Sequence, residues 1–156
     1  MRSKSKVSLV ITFIVLMVML VTSCSADDVN LNASSSVSYT FDVESDKRIE
    51  VKCDTLGGYM FLQADGNMYV RDKNDNSISG FFIKPDIFEQ YLQDETLEQA
   101  AKDNGDIYYY AVDSVGTVVM LEKVTDDNLG VIFYTEDNAD FDNAISLFNR
   151  LTFTEK

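Results

Sequence analysis

Residues 107–135, IYYYAVDSVGTVVMLEKVTDDNLGVIFYT, decide the fold. Three β-branched and aromatic runs, 107–112, 117–124 and 129–135, are separated by Ser114-Val115-Gly116 and Asp126-Asp127-Asn128. Runs of this length and composition between turn residues predict strands, and their close spacing predicts an antiparallel meander. Tyr108-Tyr109-Tyr110 opens the first run. Successive strand residues face opposite ways, so Tyr109 opposes Tyr108 and Tyr110. One set packs in a core. Tyr108 and Tyr110 are the candidate partner surface, because an exposed tyrosine presents a flat ring and a polar tip to a sugar or a protein.

After the meander, Phe141, Ala144, Ile145, Phe148 and Leu151 recur at helical spacing, with Asp137 or Asp140 as the N-cap. Before it, Val37, Tyr39, Phe41 and Val43 alternate with polar residues as in a half-buried strand. Ser45-Asp46-Lys47 turns the chain into a second strand, 48–54. Leu56-Gly57-Gly58 punctuates, and 59–64 with 68–71 form a hairpin across Asp65-Gly66-Asn67. A polar loop at 72–77 precedes a strand at 78–84. Pro85 suits the first turn of a helix whose apolar side is Ile87, Phe88, Tyr91 and Leu92. Leu97, Ala100 and Ala101 continue that stripe with a shift, and Thr96 with Gln99 forms a candidate capping box, which predicts two short helices meeting near Asp94. Asn104-Gly105 ends the helical segment.

The order βββββ-α-βββ-α predicts an α+β domain, an antiparallel sheet of about seven strands with two main helices packed on it. This element order, over residues 37–153, resembles the PsbP/Mog1-like α/β/α sandwich. A cystatin-like sheet wrapped round a helix fits less well, since that arrangement places its main helix first.

The other informative stretch is the beginning. Arg2, Lys4 and Lys6 lead into an apolar run, Val7–Val21, interrupted by Ser8 and Thr12, and the run ends Val21-Thr22-Ser23-Cys24. A basic start, an apolar middle and small residues before a cut make a secretory signal. The run is shorter than the roughly 20 residues a membrane-spanning helix needs. The cysteine directly after the small residues resembles the lipobox of bacterial prolipoproteins. That resemblance implies cleavage between Ser23 and Cys24, diacylglycerol on the Cys24 sulfur, and a protein held on the outer face of a membrane. Two acyl chains suffice for stable anchoring, where one does not. The expected organisation is a signal peptide over 1–23, a lipidated cysteine with flexible tether over 24–36, and a single domain over 37–156. The tether is rich in Ser, Asn and Asp, and Asn32-Ala33-Ser34 matches a glycosylation acceptor that matters only outside bacteria.

Without residues 1–23 the chain keeps 10 basic and 26 acidic residues, a net charge of about −16. Phosphate repulsion excludes nucleic acid as a partner, and an anionic membrane surface would push such a domain outward. Cationic partners are electrostatically favoured, while acidity also keeps an exported protein soluble. With Cys24 committed to lipid, Cys53 has no bridging partner. It alternates with Ile49 and Val51 and is expected in the core.

The chain has no histidine. This removes His-dependent nucleophilic triads and His-ligated metal sites, and no catalytic or cofactor-binding residue is nominated. Asp72, Asn74 and Asn76 match the first ligand spacings of a calcium loop, but Ser77 stands where Gly is required and Ile83 where a bidentate Glu is required. Gly57-Gly58 has no phosphate-binding continuation. The sequence therefore predicts a membrane-anchored, non-enzymatic lipoprotein that binds a partner or ligand in the cell envelope. The alternative is a carboxylate-based hydrolase of envelope glycans, for which paired acids would serve. A small-ligand receptor is disfavoured, since one domain of this size offers no hinged cleft.

Overall fold

The computed structural model describes residues 35–43, 47–136 and 140–156. Its strands and helices run β1 (Ser36–Val43), β2 (Lys47–Asp54), β3 (Met60–Ala64), β4 (Asn67–Arg71), β5 (Ser77–Ile83), α1 (Pro85–Tyr91), β6 (Glu98–Ala101), β7 (Ile107–Val112), β8 (Val118–Lys123), β9 (Gly130–Thr135), α2 (Phe141–Phe148) and β10 (Leu151–Glu155). The class is α+β, as the residue pattern predicts. All strand pairs are antiparallel. They form two sheets, β1-β2-β10 and β3-β4-β5-β9-β8-β7-β6. Gly57 and Gly58, both at positive φ, lie where the chain leaves the first sheet for the second.

The main core lies where the three-stranded sheet and α2 meet the larger sheet. Ile49, Val51 and Cys53 from β2 meet Met68, Val70, Ile78, Met120 and Phe133, with Ala144, Leu147 and Phe148 of α2. A smaller cluster, Ile83, Phe88, Leu121 and Ile132, lies beneath α1 on the other face. The large sheet is thus covered on both sides at β8 and β9. That is why Val118–Leu121 and Val131–Phe133 read as continuous apolar runs rather than alternating ones. Two glycines make room for rings: a Cβ on Gly130 would overlap the Phe88 ring, and one on Gly80 would overlap Phe133.

Three element boundaries depart from the sequence pattern. The helix after Pro85 stops at Tyr91, and Glu98–Ala101 is an edge strand, not a second helix. Asp94 is the reason: its carboxylate accepts from the Thr96 amide at 2.9 Å and hydroxyl at 2.8 Å, a local turn that competes with helix. The four residues that follow gain a ladder with β7, Glu98 opposite Tyr110. The C-terminal helix stops at Phe148, and Leu151 opens β10 instead of completing the helical stripe. In that strand it pairs with Cys53 and is fully buried. Ser36, expected at the end of the tether, already pairs with Asp54. Asp140 caps α2, accepting from the Asn143 amide at 2.9 Å, while Asp137 lies outside the described residues.

Candidate functional site

Many of the acidic residues serve the backbone. Asp54, Asp72, Asp94 and Asp113 each accept from the amide two residues on, at 2.8–2.9 Å. This is the side-chain turn expected of aspartate. Asp72 also accepts from the Asn76 amide at 3.0 Å and from its Nδ2 at 2.8 Å. Burial pushes the Asp72 carboxyl up, but the bonds from Asn76 and Asn74 together outweigh it and hold the group below the usual range. Asp113 is held low first by the Thr117 amide. The segment that spaced its ligands like a calcium loop is thus a turn whose leading carboxylate is occupied by the turn itself. Among the described residues no three ligating side chains gather as a metal group.

One cleft, of about 570 Å³, opens beside α2. Asp142, Ser146 and Asn149 line it from α2 and its cap, Thr152 from β10, Asp54 from the end of β2 and Asp103 from the β6–β7 turn. Among the described residues Arg150 is its one cationic wall, and that charge is used internally. Arg150 Nη1 donates to the carbonyls of Asp54 at 3.2 Å and Leu56 at 3.1 Å, and pairs with the Asp54 carboxylate at 3.3 Å. Its guanidinium also stacks on Tyr59, 3.3 Å from the ring centroid. With Arg150 engaged, Asp103 and Asp142 leave the opening negative. The arrangement is electrostatically suited to a cation or a basic group.

Adjacent to Asp103 in sequence, Lys102 is buried. Its Nζ stands 2.5 Å from Glu122 Oε2, in ionic contact but off the direction of a good hydrogen bond. It donates to the Leu151 carbonyl at 2.9 Å, with the Phe148 ring centroid 4.3 Å away. Burial pushes Lys102 down and Glu122 up, and their mutual attraction opposes both shifts. Perturbed groups often mark active sites. Here both side chains are 2–4% exposed and cannot touch a substrate, so the pair is structural. No local motif marks either residue. The available signal was Glu122 at an inward position in step with Val118 and Met120.

Tyr108 and Tyr110 do not make an exposed pair. Tyr108 is 4% exposed and packs edge-on against Phe148. Tyr110 is half-buried, packs on Phe141 and donates from its hydroxyl to Glu98 at 2.6 Å. The face they share is the inner one, closed by α2, which removes Tyr108 as a partner contact. Cys53 is buried as expected, and burial pushes its thiol up to about 12. Ser23 and Cys24 lie outside the described residues. No family model, curated protein or solved structure matches this chain, so neither the lipoprotein nor the PsbP/Mog1-like resemblance is carried by a match.

Proposed function

We propose that this protein is an exported, lipid-anchored, non-enzymatic domain that binds a cationic partner in the cell envelope. The observation that carries the anchoring is Cys24 placed directly after an apolar run and small residues. Diacylglycerol on its sulfur holds the domain to the outer face of a bacterial membrane. Support for the partner's chemistry comes from the cleft beside α2, where Asp103 and Asp142 face solvent while Arg150 is tied to Asp54 and Leu56. A basic peptide or polyamine is the class of ligand such an opening attracts.

The anchor is tested by metabolic labelling with palmitate, which the wild type incorporates and Cys24→Ala does not. Label that persists in the variant refutes it. For the partner, cross-linking of the lipidated protein in intact cells should capture a basic component, and Asp103→Asn/Asp142→Asn should reduce its yield several-fold.

A carboxylate hydrolase of envelope glycans is the second reading, because Asp54, Asp103 and Asp142 line one opening. Release of sugar from envelope polysaccharide, abolished by a single Asp103→Asn or Asp142→Asn change, would establish it over the first.

A further inference from the structure

The charge of this chain is unevenly placed. Strand register determines which side chains the seven-stranded sheet turns away from α2. On that outer face the row Leu62, Tyr69, Ser79, Tyr134, Val119, Ala111 runs unbroken from β3 to β7. A neighbouring row runs Phe81, Ile132, Leu121, Tyr109, Gln99. No Asp or Glu occupies a strand position on this face, in a chain with 26 of them. The charged residues at those positions are Arg71 and Lys123, both basic. The short helix α1 covers the part over Ile83, Leu121 and Ile132, with Leu97, Tyr109 and Val119 packed against that cluster. Met60 remains 42% exposed, Leu62 55%, Phe81 39% and Tyr134 36%, beside the exposed Ile87 and Leu92 of α1. A concentration of exposed apolar side chains on one face marks an interaction surface.

The chain preceding Ser35 indicates what covers it. The Ser35 carbonyl accepts from the Thr55 amide at 2.9 Å. From Thr55 the chain enters β3, the rim of this face, at Met60. Cys24 lies eleven residues before Ser35, a reach of at most about 40 Å. A tether of that length keeps the domain within contact of whatever bilayer holds Cys24. Resting on the lipid-anchor reading, we propose that this sheet face, whose strand positions carry no carboxylate, lies on the phospholipid bilayer that holds Cys24. Leu62, Phe81 and Met60 enter the headgroup region and Tyr134 stands at its level, as tyrosines do at membrane interfaces. Arg71 and Lys123 lie on the phosphate side. The cleft beside α2, on the opposite side of the sheet, then faces the envelope. Tethering makes a weak contact sufficient, because the face is always at high local concentration near the bilayer.

The test uses the full-length chain, expressed with its leader in a lipoprotein-processing bacterium and reconstituted in phosphatidylcholine/phosphatidylglycerol vesicles. A fluorophore is placed at Leu62→Cys on the face or at Thr154→Cys on β10, the buried Cys53 being shielded from labelling. Nitroxide confined to the lipid should quench the probe at position 62 several-fold more than that at 154. With the probe moved to Asn67→Cys, adding Leu62→Asp/Phe81→Asp should bring quenching down to the level at 154 while flotation with vesicles is retained. Equal quenching at 62 and 154 in protein that floats overturns the docking and leaves the anchor standing. Excimers between pyrene labels at 62 on neighbouring molecules, without lipid quenching, would assign the face to a second copy instead. Protein that fails to float removes the anchor, and the docking with it.

Discussion

Lys102 and Glu122 form an ion pair 2.5 Å apart with both side chains sealed from solvent, and through the Leu151 carbonyl the lysine also ties the larger sheet to the smaller. Removing one partner of such a pair leaves a buried charge uncompensated. Lys102→Met should therefore cost about 3–5 kcal/mol at neutral pH, and Lys102→Met/Glu122→Leu should recover most of that, as read by urea denaturation. The pH dependence has a definite sign. Burial raises the Glu122 carboxyl in the folded state, and losing the attraction of Lys102 raises it further. A raised carboxyl contributes most below its unfolded value and loses that contribution as pH rises. The single variant should accordingly be less impaired at pH 5 than at pH 8; an equal loss at both would show that Glu122 does not carry the effect.

Phe88 fills the space that Gly130 leaves open. Gly130→Ala should expel the ring and loosen α1, costing about 1–3 kcal/mol as overpacking does. Phe88→Ala empties the same space and should cost about 3–5 kcal/mol. The double variant should cost less than the sum, because each change spoils the same contact. Thermal denaturation of the three variants measures this.

Burial keeps Cys53 a thiol, its pKa pushed up to about 12. The thiolate is the reactive form. At pH 8 a disulfide reagent should modify Cys53 of the native protein only at the rate of unfolding, and immediately in 6–8 M urea, roughly the range that unfolds small domains. Rapid modification of native protein would show that the β2–β10 pairing opens locally.

Asp72 is held below the ordinary carboxylate value of 3.8, the bonds from Asn76 and Asn74 outweighing its burial. A depressed carboxyl contributes stability above its unfolded pKa and loses it as pH falls through the folded one. Asp72→Ala should cost about 1 kcal/mol at pH 7, in line with a solvent-accessible hydrogen-bonded group, and nearly nothing at pH 2. A pH-independent loss would assign the effect to turn geometry alone.

Local patterns made the meander and the β3–β4 hairpin legible, because apolar runs bounded by Gly, Asn and Asp carry their own turn chemistry. The helix after Pro85 was legible only to Leu92. Ala100 and Ala101 look helical in isolation, and they become a strand because β7 offers an open ladder that no local pattern reveals. Leu151 fits a helical stripe equally well, and its pairing with Cys53 spans almost a hundred residues. The acidic surface was evident from composition. Its exclusion from one sheet face was not, since that requires the register of strands drawn from separate parts of the chain. No local pattern reveals the cleft for the same reason: Asp54, Asp103 and Asp142 are contributed by three distant segments.

The last strand has a consequence for biogenesis. β2 lies in the middle of its sheet and receives one neighbour, β10, from residues almost a hundred positions later in the chain. A chain synthesised only as far as β9 therefore holds Val51 and Cys53 with one side of the ladder vacant. Completion waits until β10 has left the ribosome. Fold topology thus leaves the smaller sheet open on one side until its most distant strand has been made.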